Sequence, residues 1–495
     1  MLIRMYRVVA AALSSTVILV ASVSNALAQE FDPFATTRSM AASPAKTMIS
    51  ATYGESPCQF GEPKATLQLI EVVERALCHS PQTRQAWANA KYQAALVGVR
   101  QSAYLPTINV SIVAARQNNS TRVTGFPELD ADSNPTIRTG SLKMTWVLSD
   151  SGLRRSNLEQ ARALLDAANA VHDDRLQSAF LNAAQIYYDS LTAVAALDAS
   201  REAEKAAKES LMAAEAKYKA GVGGLTDQLQ ASTAYSQAKL ERVIADGELK
   251  NVHGSLAMAI GLAVNTSFVL AKPEDHLPDT AFVKPIEALL EDARRYHPSV
   301  VAAQAEMHAA LAKVYVTKAE GKPSISLASE ISRSDQLGQP PTLGLTSTDT
   351  TSTSSSIGIQ VNIPLFEGFG RTYQIQAAQS QVEAKEAEYA QVEQQVLLEV
   401  WKNYQLLETE SEGLKTTAEL VNNARASFDV ARGRYKSGVG NIVELLNVQS
   451  ALAKAEQQRI KTISNWHNAR LKLAASVGKI GLWAITGLPQ GSAMK

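Results

Sequence analysis

Aromatic side chains are scarce, at 6% of 495 residues, and neither sign of charge is in excess. The 48 Lys and Arg are matched by 48 Asp and Glu. No basic surplus is therefore available for nucleic acid or for an anionic membrane surface. Seven histidines are scattered along the chain. HExxH, nucleophile-elbow and P-loop patterns are all missing, which leaves an enzyme without its usual sequence basis. No cofactor is expected. Long hydrophobic runs are missing too, apart from Val8 to Val23. That run follows Arg4 and Arg7 and stops before Ala26-Leu27-Ala28, an A-x-A cleavage pattern. Residues 1–28 accordingly read as a secretory signal peptide rather than a membrane anchor. No Cys stands at the cleavage point to take a lipid. Removing the peptide leaves 46 basic and 48 acidic residues, a net charge of −2.

Cysteine is almost absent. Cys58 and Cys78 are the only two, too few for a zinc site without His at ligand spacing, so no metal is expected. In an oxidising compartment they can form one disulfide, closing a loop of about 20 residues worth about 3 kcal/mol. Two free or buried thiols are the alternative.

Ala, Gln, Glu and Leu are plentiful, a mixture that favours long helices over a bulky core. The chain also repeats itself. Pro81 and Pro298, Pro106 and Pro323, and Arg154 and Arg371 are each 217 positions apart. Tyr218-Lys219 and Tyr435-Lys436 share that offset, as do Gly221, Gly223 and Gly261 with Gly438, Gly440 and Gly478. A constant offset with sparse identity marks a duplicated unit whose length is constrained. The expected organisation is a mature N-terminal extension at 29–64, a first repeat at 65–281, a second at 282–480, and a tail at 481–495.

Each repeat reads in the same order. A helix over Leu67–Cys78 closes at Ser80-Pro81, where Ser80 can cap the next helix and Pro81 fits its first turn. That helix runs to about Ala103. Ile108, Val110 and Ile112 then alternate with polar residues, as do Leu142, Met144, Trp146 and Leu148. Ile325 and Leu327, then Ile357, Ile359, Val361 and Ile363, alternate likewise. The period of two predicts two strands per repeat. The polar stretches 119–139 and 334–355 read as loops, the second mobile and rich in Ser and Thr. Leu153 to Ala220 contains neither Pro nor Gly and predicts a coiled-coil-like helix about 100 Å long. Its twin runs from about Arg371 to Ser437, interrupted only by Gly413 and Gly433. Gly221-Val222-Gly223-Gly224 and Gly438-Val439-Gly440 turn the chain into returning helices of about 55 Å.

Four strands of about ten residues suit a tilted crossing of a bilayer, but about eight are needed to close a barrel. An open sheet would present unsatisfied edges to lipid. The chain must therefore assemble with itself, and dimer, trimer and tetramer give 8, 12 and 16 strands. A soluble sheet packed on helices is the alternative, and the signal peptide together with the lack of any membrane-spanning helix counts against it.

The stretch LQLIEVVERALCHSPQTRQAWA at 67–88 resembles the opening signature of the TolC family of outer-membrane efflux proteins. The junctions Leu148 to Arg155 and Pro364 to Arg371 resemble that family too, as do the turns YKAGVGGLTD and YKSGVGNIVE. The likeness covers about residues 65–480. It implies a mainly α chain with a four-stranded transmembrane β segment, forming a trimeric β-barrel and a periplasmic α-helical barrel. It also implies a homotrimer working with a periplasmic adaptor and an inner-membrane transporter. The Cys-containing opening is similar to the CyaE-like, type I protein-secretion branch, which implies an ABC-type transporter and protein cargo; small-molecule efflux is the alternative. The family narrows its tunnel beside the two glycine turns. Carried over by position, the constriction residues are Thr226 and Asp227, then Tyr435, Glu444 and Asn447. Asn447 stands where the family often has an acid, and Gly440 where it often has a gate-locking Arg. The competing readings are that Asp227 and Glu444 stabilise helix N-termini and that Tyr435 packs between helices. A periplasmic adaptor would need a lipoyl-like region and an inner-membrane anchor, neither of which is visible. A plain coiled coil leaves the four strands unexplained.

Overall fold

A computed structural model describes residues 32–40, 58, 66–127, 130–271, 285–339 and 348–478. The expected signal peptide, the C-terminal tail and most of the 29–64 extension lie outside the described residues. Strand β1 (Thr66–Leu67) leads into helices α1 (Leu69–His79) and α2 (Pro81–Ser102). Strands β2 (Thr107–Arg116), β3 (Asn119–Thr121), β4 (Ala131–Ser133) and β5 (Thr136–Ser149) follow. Helices α3 (Leu153–Lys219) and α4 (Leu225–Ala259) and strand β6 (Val269–Leu270) complete the first copy. The second copy runs α5 (Ile286–Tyr296), α6 (Pro298–Glu320), β7 (Ser324–Gln339), β8 (Thr348–Asn362), α7 (Gly370–Lys436) and α8 (Ile442–Ser476). Helices α3 and α7 have 67 residues each, and α4 and α8 have 35 each. The duplication is therefore kept to the residue in its longest elements. Helix α7 passes through Gly413 and Gly433 without a break. A β-carbon at Gly413 would lie 3.3 Å from Thr462 Cγ2, so this glycine permits close helix contact rather than a turn.

The chain forms two compact units, and each draws on both copies. One comprises residues within 1–40, 91–165 and 309–380, the other 41–90, 166–308 and 381–495.

The strand unit holds an antiparallel sheet of order β2-β5-β7-β8. Register places Ile108 opposite Met144, Val110 opposite Leu142, and Leu142 opposite Ile331. Trp146, Leu327 and Ile359 form another row across three strands of the same face. This face is uncovered: Val110 is 71% exposed, Ile112 78% and Ile357 74%. The opposite face carries Ser111, Ser141, Ser332 and Ser354 in one row and Asn109, Lys143, Glu330 and Ser356 in the next. The two expected loops are partly strand. Strands β7 and β8 extend to Gln339 and from Thr348, and 119–139 contains the β3–β4 hairpin and the start of β5. These polar residues pair because hydroxyls satisfy one another across the ladder. Ser332 and Ser354 Oγ are 2.8 Å apart, and Thr351 Oγ1 donates to Asp335 at 2.8 Å. Cross-strand hydroxyl pairs of this kind stabilise a sheet without any apolar alternation to announce it.

The junctions into the long helices are built alike. Arg154 donates from Nε to Asp150 Oδ2 at 2.8 Å and from Nη1 to the Val147 carbonyl at 2.7 Å. Its counterpart Arg371 donates to Glu367 Oε2 at 2.9 Å and Glu320 Oε2 at 2.7 Å. Gly152 and Phe369, at equivalent positions, both have positive φ, at 93° and 64°. Ala94 and Val97 of α2 pack on Ala161 and Leu165 of α3 beside this turn.

The helical unit has matching cores. In the first copy, Val72, Ala76, Ala183, Leu256 and Ile260 are buried around Phe180. In the second, the equivalent positions are Leu289, Ala293, Val400, Leu473 and Val477. Ser80 caps α2, its Oγ accepting from Thr83 N–H at 3.4 Å. Cys58 and Cys78 are joined in a disulfide with Cα atoms 5.7 Å apart. The bond ties the extension to the last turn of α1. Among the described residues no helix is long and apolar enough to cross a membrane.

Candidate functional site

The helical unit ends at two hairpin turns that bring glycines and charges together. At the first, Gly221 has φ 72°. Its N–H donates to the Tyr218 carbonyl at 3.0 Å, and Val222 N–H donates to the Lys217 carbonyl at 3.0 Å. At the second, Gly438 has φ 83°. Its N–H reaches the Tyr435 carbonyl at 3.3 Å, and Val439 N–H reaches Arg434 at 3.0 Å. Both are Schellman closures, which need a left-handed residue that glycine supplies without steric cost. A β-carbon at Gly223 would lie 3.0 Å from Lys217 Cβ, and one at Gly440 would lie 3.0 Å from Tyr435 N and 3.1 Å from Arg434 Cβ. Gly440 thus has a local reason to be small: an Arg there would have to open the turn by a few tenths of an ångström.

Tyr435 is buried with Phe428, Ala431, Ile442 and Leu445 against Ala214 and Ala231 of the first hairpin. Its hydroxyl is pushed to higher pKa, first by burial and then by the charge of Asp227. The two tips are therefore packed on one another, and Tyr435 does act as the interhelix packing residue. Lys217 adds a polar link between them. Its Nζ donates to the Tyr435 carbonyl at 2.7 Å and sits 3.7 Å from the centre of the Tyr435 ring.

Glu444 lies in the first turn of α8. Its N–H donates to Asn441 Oδ1 at 2.7 Å, and its Oε1 accepts from Arg434 Nη1 at 2.8 Å. Asp227 occupies the equivalent place in the first turn of α4 and is half-buried. Acids there complement the positive helix end, so stabilising the helix and lining an entrance are compatible roles. Thr226 and Asn447 are exposed. Sequence reasoning missed Lys217, Arg434 and Asn441. A signal was present, since Lys217 and Arg434 are 217 positions apart, as are Asp227 and Glu444.

The family model described as "Outer membrane efflux protein" matches the chain twice, at residues 72–262 and 289–479. The second match repeats the limits of the first at the same 217-residue offset. The chain is 31% identical over 423 residues to "Protein CyaE" of Bordetella pertussis, with 86% of each chain covered. It is 21% identical to "Outer membrane protein TolC" of Escherichia coli K12, over 88% of this chain and 87% of the other. Among solved structures, the outer-membrane channel OprN superposes with a TM-score of 0.71 at 20% identity, covering 84% of this chain and 90% of that one. At that identity the structural likeness carries the fold alone.

Proposed function

The chain belongs to the outer membrane efflux protein family, and from that premise we propose that it forms the trimeric exit duct of a type I protein-secretion system. Its place is the outer membrane, with the helices extending into the periplasm. The observation that carries the reading is the open sheet. Strands β2 and β8 are its edges, one face is apolar and uncovered, and the other is rich in hydroxyls. Lipid meets the first face and water the second. One chain cannot close such a sheet without leaving ladder groups unpaired in hydrocarbon. Three copies give a closed barrel of 12 strands.

Similarity to CyaE over most of both chains favours protein cargo, a periplasmic adaptor and an ABC-type inner-membrane transporter as partners. The efflux description of the family model favours the second reading, passage of small molecules. Deleting the gene and measuring both toxin secretion and drug sensitivity separates the two. Lost secretion with unchanged drug sensitivity supports the first; the reverse overturns it.

In this reading Thr226, Asp227, Glu444 and Asn447 line the constriction at the hairpin tips, and Tyr435 supports it from the buried core between them. Three copies of Glu444 make a carboxylate ring that attracts cations. Arg434 offsets part of that charge within each subunit, so the ring is weaker than three free carboxylates. Glu444→Ala should shift conductance and cation block in planar bilayers, and identical traces from the two proteins would remove Glu444 from the constriction.

A further inference from the structure

At the end of the sheet farthest from the helices, the apolar face turns basic. Beyond Ile112, Leu142 and Ile331, Arg333 stands opposite Gly140, Arg138 opposite Ala114 and Asp335, and Arg116 opposite Thr136. Opposed residues share a face, and faces alternate along a strand. Arg116, Arg138 and Arg333 therefore lie on the same side as Val110, Leu142 and Ile331. The other side is uncharged at this height. Val113, Thr139, Ser334 and Ser352 form one of its rows, and Ala115, Ile137, Gln336 and Thr350 the next. Arginines serving the water-filled interior would face the other way.

We propose that Arg116, Arg138 and Arg333 form a docking surface for the phosphorylated disaccharide head of an outer-leaflet saccharolipid of the lipid A class. The proposal rests on the reading that this face meets lipid and that the helices point into the periplasm, which puts the arginine end at the outer leaflet. Cross-strand diagonals of about 7–8 Å separate Arg116 from Arg138 and Arg138 from Arg333, so the three form a line about 15 Å long across β2, β5 and β7. Like charges so placed repel one another unless an anion lies among them. The carboxylates of this face are engaged by the sheet itself. Asp335 accepts from Thr351 Oγ1 at 2.8 Å and from Arg333 Nε at 3.4 Å, and Asp349 accepts from Gly338 N–H at 3.1 Å. Among the described residues, Arg116 and Arg138 make no direct ion pair and no side-chain hydrogen bond, and both are exposed. Arg333 keeps 63% of its side chain exposed. Opposite it, Gly140 leaves open space, with no atom within 4 Å of where a β-carbon would stand.

A guanidinium fork takes a phosphate in two parallel hydrogen bonds. A line of this length suits two phosphates carried on one disaccharide, whereas a glycerophospholipid head offers a single phosphate. The acyl chains of such a lipid then run down the apolar rows of Val110, Leu142 and Ile331 on the same face.

The intact oligomer in detergent is titrated with bisphosphorylated lipid A, with the same lipid after dephosphorylation, and with phosphatidylglycerol, and binding is read by native mass spectrometry. Recovery of the heat-modifiable oligomer serves as the folding control. Bisphosphorylated lipid A should bind the wild-type channel most tightly. Arg116→Gln, Arg138→Gln and Arg333→Gln should each weaken it about five-fold, and the triple variant about a hundred-fold. Lys143→Gln, on the opposite face, should bind as wild type does. Equal binding of the two lipid A forms by the wild-type channel overturns the site without recourse to any variant. Phosphatidylglycerol bound as tightly as lipid A overturns the saccharolipid assignment. Wild-type binding by the arginine variants, beside poor oligomer recovery from Ile359→Lys, removes the site and leaves the lipid-facing sheet standing. Wild-type binding by the arginine variants with full recovery from Ile359→Lys removes both.

Discussion

His467 lies flat against Tyr188, with ring centroids 4.3 Å apart, and edge-on to Trp466. Burial, with Arg470 nearby, pushes its pKa down to about 4. His253 and His297 are lowered by burial as well. A depressed histidine stays neutral in the folded chain while the unfolded chain takes up its proton near pH 6.5. Stability is therefore full above about pH 6.5 and falls as pH drops towards 4, by up to about 3 kcal/mol for His467. Urea unfolding followed by far-UV circular dichroism at pH 7.5 and 4.5 checks this. His467→Phe keeps the stack and should flatten the acid limb. From sequence these histidines were only scattered, since the stacking partner of His467 is 279 positions away. The Lys217 link was hidden for a related reason. Lys217 and Tyr435 are 218 positions apart, and the packing of the two hairpins, not spacing in sequence, brings them together.

Among the elements, the hairpins depend on single backbone positions. Gly438→Ala places a β-carbon at φ 83°, a left-handed conformation that costs about 1–2 kcal/mol for an L-residue. Hydrogen exchange at the facing ends of α7 and α8 should speed up by about ten-fold or more. The disulfide acts at the other end of the helical unit. Reducing it, or making Cys58→Ser, should lower unfolding stability by about 3 kcal/mol, and reductant should have no further effect on the variant. The helices were legible almost to the residue, because Pro and Gly are excluded from α3 and glycines mark where the turns must be. The ends of β7 and β8 were not legible. The outer part of β8 is Ser and Thr on both faces, and that of β7, from Arg333 to Gln336, is polar on both faces, so nothing alternates, and the strands are held by ladder bonds and side-chain pairs that only the partner strand supplies.

For the whole molecule, the apolar face of the sheet is the feature most exposed to a charge. Ile359→Lys should cost about 2–4 kcal/mol if this position lies near the bilayer midplane. It should reduce the heat-modifiable oligomer recovered from outer membranes, whereas Ser354→Lys on the opposite face should leave recovery intact and change ion selectivity. The duplicated plan was readable from the 217-residue offset alone. The compact units were not, because they cut across the repeats: each takes residues from both. Their boundary follows the sheet, in which β5 of the first copy pairs with β7 of the second. That pairing dictates an order of delivery. A chain threaded across the inner membrane from its N-terminus presents β2 and β5 long before β7 exists, with α3 and α4 still to arrive in between. Half a sheet, apolar on one face and open along β5, must wait in the periplasm until the second copy catches up. Loops spanning this distance close slowly, so the waiting half needs a holdase to shield it, and a product halted between the repeats is left as protease substrate rather than as a smaller channel.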